Sequence, residues 1–289
     1  MNQFIRAMVL PIGLLLPLST ALSSKWVPKY LEGDASTKKN KQQLRPSVTA
    51  IPKIKTKKAP DGKVAVKNES KLPSDPIEKR FLKELKDKNE IIALKKEVLA
   101  IGPKAVPVLV RIMKGGNFPI KSRWIATFLL GRIMGKKSSG FISKFASHPH
   151  YVLRMASLKT LLAIKEDKKV GIYQNALTDK SMLVRFQALE NISKMGLTNL
   201  GPSVWKMIFE KENYNGKKGK LKRTAIIKKV VRTLGDIKFA KVKAPLLKMI
   251  KKKSYNDIFK DLDYSLSKLT GKSSPKGGRD LKRSFWGKL

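Results

Sequence analysis

Apolar residues recur along this chain with a helical period, and the period itself repeats. Arg123, Arg154 and Arg185 stand 31 residues apart, and Ile91 lies 32 ahead of the first. Three places after these four residues come Leu94, Ala126, Ser157 and Ala188; seven places after come Val98, Leu130, Leu161 and Ile192; ten after come Ile101, Ile133, Ile164 and Met195. Such spacings put side chains on one stripe of a helix, so each unit is predicted to open with an amphipathic helix whose small residue marks a close crossing. A second set, Val110, Ile142, Tyr173 and Val204, followed three places on by Met113, Phe145, Ala176 and Met207, predicts a second helix per unit. Gly102, Gly135 and Gly196 fall where the first helix should end, and Pro103 and Pro202 forbid its continuation. Each unit is therefore a helical hairpin.

Hairpins repeated in sequence bury their faces on one another instead of around a single centre. The fold class predicted is all-α: an α-solenoid of about five helical hairpins over 77–270. Its start is marked by Pro76 at a first helical position, with Ser74 or Asp75 as the cap and Ile77, Phe81 and Leu85 following at helical spacing. After Phe209 the loop from Glu210 to Lys220 lengthens the period. The next register stays open between Lys222, which puts Ala225 at the small position, and Arg223, which puts Val230 on the stripe. A second helix is expected over about 240–253, and Ile258, Phe259, Leu262, Leu266 and Leu269 make a closing helix.

The flanks follow another pattern. Residues 1–23 hold one charged side chain, Arg6, then an apolar run broken by Pro11, Gly13 and Pro17, with Ala21 and Ser23 placed for a cut before Ser24. This is the pattern of a cleavable signal peptide and implies a secreted or periplasmic protein. Residues 24–76 are rich in lysine and proline without an apolar period, which predicts a disordered basic linker. Residues 271–289 are expected to form a basic flexible tail, in which Phe285 and Trp286 could anchor a short docking element.

Charge then narrows the function. The 289 residues carry 63 Lys plus Arg against 21 Asp plus Glu, a net +42, while 42% apolar content is enough for a folded core. Lysine outnumbers arginine 51 to 12, a balance suited to diffuse attraction rather than bidentate reading of phosphates. The absence of cysteine excludes disulfides, thiolate metal sites and cysteine nucleophiles. From Lys217 to Lys253 there are 15 basic residues and one acid, Asp236. Lys217, Lys218, Lys220, Lys222, Arg223, Lys248, Lys251, Lys252 and Lys253 are accordingly the candidate anion-binding residues.

Two strings add a resemblance. Ala-Ile-Gly-Pro-Lys-Ala-Val-Pro-Val-Leu at 100–109 and Leu-Val-Arg-Phe-Gln-Ala-Leu at 183–189 resemble bacterial HEAT repeats of the kind first grouped with phycobilin lyases. The resemblance spans about 77–270 and implies HEAT-like hairpins serving mostly as protein-binding scaffolds. It also implies that Asn117, His148 and Asp179, each six residues ahead of a frame arginine, are turn residues bonded along the stack to a ladder of Arg123, Arg154 and Arg185. The His-Glu iron ligands of the deoxyhypusine hydroxylase type are missing, since neither His148 nor His150 is followed by Glu, and Trp124 and Trp205 stand in no motif of the alkylpurine DNA glycosylase type. Those tryptophans are expected as core or inter-repeat filler.

No complete acid–base, nucleophile or metal constellation is legible, so the chain is expected to be no enzyme and to need no cofactor. The function expected is a non-catalytic binding scaffold exported to the cell envelope. Its lysine-rich C-terminal end would dock an acidic protein or an envelope polyanion such as lipid headgroups or lipopolysaccharide, with peripheral membrane contact as one mode. The alternative is a nucleic-acid-binding solenoid.

Overall fold

The computed structural model describes residues 75–215 and 222–289. The signal peptide and nearly all of the linker, like Lys217, Lys218 and Lys220, lie outside the described residues. The described chain is all-helical apart from a two-residue antiparallel ladder of β1 (Tyr214–Asn215) with β2 (Lys222–Arg223). Helix α1 (Pro76–Leu82) starts where the sequence places it, and Asp75 is the cap, accepting from Ile77 N–H at 2.8 Å and Glu78 N–H at 3.4 Å.

Longer and shorter helices alternate after α1. The longer ones are α2 (Lys88–Ile101), α4 (Ile120–Met134), α6 (Tyr151–Ala163), α8 (Met182–Met195), α10 (Ala225–Asp236) and α12 (Phe259–Thr270). Between them lie α3 (Val106–Lys114), α5 (Ser139–Ser143), α7 (Val170–Ala176), α9 (Gly201–Lys206) and α11 (Lys243–Lys251), most of them flanked by 3₁₀ turns. Each of α4, α6, α8, α10 and α12 packs on the next in the row, and the short helices α3, α5, α7, α9 and α11 lie against them. The core thus runs from layer to layer.

The small positions explain the spacing. Leu94, Ala126, Ser157 and Ala188 are all buried, as are Val98, Leu130, Leu161 and Ile192. Ser157 also donates across a layer to Ile142 O at 2.8 Å, and Asn191 donates to Leu158 O at 2.8 Å. Two closer approaches lie beyond the repeat's small position. A Cβ on Gly131 would fall 2.2 Å from Thr160 Cγ2, and one on Gly235 would fall 2.7 Å from Ser265 Cα, so only glycine lets these helix pairs meet.

The structure departs from the sequence pattern at four points. The positions ten after the frame are not core: Ile101 is 39% exposed, and Ile133, Ile164 and Met195 are half-buried, because the first helix ends there and its last turn leaves the interface. The open register resolves to neither choice, since Lys222 and Arg223 form β2 ahead of the helix. The residues matching Val184, Arg185, Ala188, Leu189 and Ile192 in burial are Ile226, Ile227, Val230, Val231 and Leu234. The segment 271–289 is not simply a flexible tail but contains α13 (Arg279–Gly287), which packs on α11 and buries Trp286 completely. Consequently α12 is not the closing helix.

Candidate functional site

Six side chains at the turns ahead of the long helices form a connected ladder. Arg154, near the start of α6, donates to the Asp179 carboxylate through Nε at 2.6 Å and Nη2 at 2.7 Å, while its Nη1 reaches His148 O and Pro149 O at 2.8 Å each. Arg185 repeats the design one layer on: Nη1 donates to Asp179 O at 2.6 Å, Nε to Asn213 Oδ1 at 3.1 Å and Nη2 to Glu212 O at 3.2 Å. Arg123 donates to Met113 O at 2.9 Å, and its Nη2 lies 3.2 Å from His148 Nε2. Each guanidinium therefore ties the backbone around its own turn, directly or through the preceding helix end, to a side chain of the next turn, matching one buried charge to many acceptors.

The ladder stops where its chemistry stops. Asn117 is exposed and outside it, because the preceding layer has Ile91 at the frame position and offers no guanidinium. At the other end Ile227 replaces the arginine in α10, and the tie is made from β2 instead: Arg223 reaches Ser254 O at 3.0 Å and Asp257 at 2.8 Å and lies 4.2 Å over the Tyr255 ring. Asn213, the acceptor for Arg185, carries no repeat signal because the loop inserted after Phe209 displaces it from the six-residue offset.

Electrostatics distinguishes the rungs. Burial alone raises the Asp179 carboxyl, but the bonds from Arg154 and Ser181 N–H outweigh it and leave its pKa below the ordinary carboxylate value. His148 faces a group that only donates; burial first and the Arg123 charge second push its pKa below the usual imidazole value. His150 accepts from Val152 N–H at 3.3 Å and so caps α6. An open groove of about 560 Å³ runs between these turns, lined by His148, Arg154, Asn175, Asp179 and Lys180. Its strongest charges, Arg154 and Asp179, neutralise each other. Among the described residues no group of three or more His, Asp or Glu is arranged to hold a metal ion.

The lysine-rich end presents a different surface. Lys248, Lys251, Lys252 and Lys253 are exposed at the end of α11 and the turn into α12, the turn that Arg223 clasps from β2. Lys251 makes one long bond, 3.4 Å to Gly287 O of α13. Lys222 is placed by its backbone in β2, beside Arg223. All five Asp side chains from 222 to 289 are already engaged. Asp257 binds Arg223, Asp261 binds Arg232, Asp263 binds Lys282 and Trp286 Nε1, Asp280 binds Arg283, and Asp236 accepts from Ser193 and Tyr264. Lys248, Lys252 and Lys253 therefore project positive charge with no acid of this region left to meet it. Arg223, by contrast, is half-buried and paired, a tie rather than a free anion ligand.

The two interior tryptophans differ. Trp124 is buried, and half-buried Trp205 packs edge-on to Phe209, its ring centroid 5.5 Å away. Among the described residues no helix is long and apolar enough to cross a membrane. No protein-family model and no curated protein sequence matches the chain.

Proposed function

We propose that this protein is an exported, HEAT-like α-solenoid that acts as a non-catalytic scaffold and attaches through its lysine-rich C-terminal edge to an anionic envelope surface. The row of stacked long helices, the internal repeat and the arginine ladder support the HEAT-like reading. The observation that carries the docking is the state of the charges: every Asp side chain from 222 to 289 is engaged, while Lys248, Lys252 and Lys253 stand exposed together. Unneutralised lysines on one rigid edge keep their field outward, and each contributes about 1 kcal/mol close to an anionic bilayer.

Co-sedimentation of the mature chain with phosphatidylglycerol vesicles and with phosphatidylcholine vesicles tests this. Binding to the first and not to the second is expected, together with a native N-terminus at or near Ser24. An intact Met1 in cytoplasmic protein would remove the export, and tighter binding to duplex DNA than to anionic vesicles would replace the lipid surface with nucleic acid.

A further inference from the structure

A second surface, apolar at its centre, lies on α8. Met182, Leu183 and Phe186 are 43%, 38% and 38% exposed, and successive turns of one helix place them side by side. They take no part in stacking, which α8 performs with Val184, Ala188, Leu189 and Ile192. Exposed apolar residues scattered singly need no explanation, but three adjoining ones mark a contact surface. The frame sharpens the point. Phe186 follows Arg185 as Trp124 follows Arg123 and Met155 follows Arg154, but Trp124 and Met155 are buried, so the exposed aromatic at this place is particular to α8; in α10 the matching residue is Lys228.

Cations border the apolar centre on two sides. Lys180 is exposed just ahead of α8, and exposed Lys228 and Arg232 lie along α10. Lys229 sits 5.8 Å over the Phe186 ring and is bonded to Glu190, so the acid on this face is already neutralised. Arg232 is held flat against Tyr264, 4.3 Å from its ring, and is paired with Asp261, which leaves Lys180 and Lys228 as the cations of this face with no paired acid among the described residues. An apolar strip with fixed positive charge alongside is complementary to a helix that is apolar on one stripe and acidic on its flanks.

We infer that the face of α8 and α10 centred on Phe186 binds an acidic amphipathic segment of a partner protein, leaving the lysine edge free for the envelope surface. Phe186, the large aromatic at its centre, is the anchor. The two sites are distinct in chemistry: one needs apolar contact and the other does not.

The test uses the full chain and a fluorescent peptide of about 18 residues, with Leu at i, i+3, i+4 and i+7 and Glu elsewhere, beside a permuted peptide of equal composition. Anisotropy titrations should show the amphipathic peptide binding at least tenfold tighter than the permuted one. Phe186→Ser and Leu183→Ser should each erase that preference with the melting temperature unchanged. Met182→Ser provides the same readout should Phe186→Ser lower the melt. Lys180→Gln with Lys228→Gln should weaken both peptides and flatten their salt dependence. No peptide binding, equal affinity for both peptides, or an unaltered preference in Phe186→Ser would overturn the inference. So would loss of the preference when Lys251, Lys252 and Lys253 become Gln, or a Phe186→Ser defect confined to anionic vesicles. Loss of vesicle binding with the peptide preference intact would instead remove the edge reading and leave this one standing.

Discussion

Replacing Asp179 with alanine isolates the ladder's central rung. The wild-type carboxylate takes two guanidinium bonds from Arg154, at 2.6 and 2.7 Å, and one from Ser181 N–H at 2.7 Å. The paired side chains are 6% and 11% exposed, so water offers little replacement. Alanine leaves Arg154 bonded only to His148 O and Pro149 O and strands a buried cation, which costs about 3–5 kcal/mol. Asparagine keeps an oxygen for Ser181 N–H and one guanidinium bond but loses the charge, at about 1–3 kcal/mol. Urea titration followed by far-UV circular dichroism gives both values, and hydrogen exchange should place the loss in α6 and α8, because layered repeats need not unfold as one unit. A cycle with Arg154→Met should show coupling of at least about 2 kcal/mol between the two sites. A loss below about 1 kcal/mol for Asp179→Ala, or additive single effects, would refute the ladder as a stabilising device.

Acid should act on the rungs in two windows. The folded-state pKa of His148 is lowered, so its unfolded form takes up a proton first; stability should fall as pH drops below the ordinary imidazole value of about 6.5 and on through the folded pKa. The lowered Asp179 pKa makes its stabilisation complete above about 3.9 and lost as pH falls through the folded value. His148→Gln, which keeps an acceptor for Arg123, should flatten the first window and spare the second; an unchanged profile between pH 7 and 5 would contradict this. Trp286→Ala should cost about 3–5 kcal/mol and speed exchange in α11 and α13, whereas an unaltered melt would mean that the last helix is not docked. Ala188→Arg should cost several kcal/mol by overpacking and burying a charge, while Lys194→Ala on the exposed side should cost under about 0.5 kcal/mol; equal melting shifts would break the repeat frame.

The helical content and the stacking positions were legible because burial repeats with the chain: the frame residue, the residue three places on and the stripe seven places on are buried in each of the layers from α2 to α8. The last position of the stripe was misplaced because sequence period continues past the point where the helix ends, and Ile101 emerges into solvent. The register of α10 was hidden by the insertion after Phe209, which moves the frame by more than the one residue left open and also conceals Asn213 as a rung. Gly131 and Gly235 read as ordinary helical glycines, since nothing local shows that Thr160 and Ser265 press against them. Trp286 looked like a tail residue because a single short helix has no repeat to announce it; the partners that hold it, Asp263 and α11, are remote in sequence. The lysine edge was legible as charge, while its lack of compensating acids emerges only from the pairing of Asp236, Asp257, Asp261, Asp263 and Asp280.

The most direct measurement of the docking claim compares two triple variants of equal charge on phosphatidylglycerol vesicles across a salt series. Changing Lys251, Lys252 and Lys253 to Gln removes charges held together on one edge and should weaken binding by about 3 kcal/mol, on the order of a hundredfold at low salt, with a shallower salt dependence. Changing Lys38, Lys39 and Lys41 in the predicted linker should weaken it much less. Equal losses in the two variants would show that net charge alone governs binding, and the edge would then have no special role.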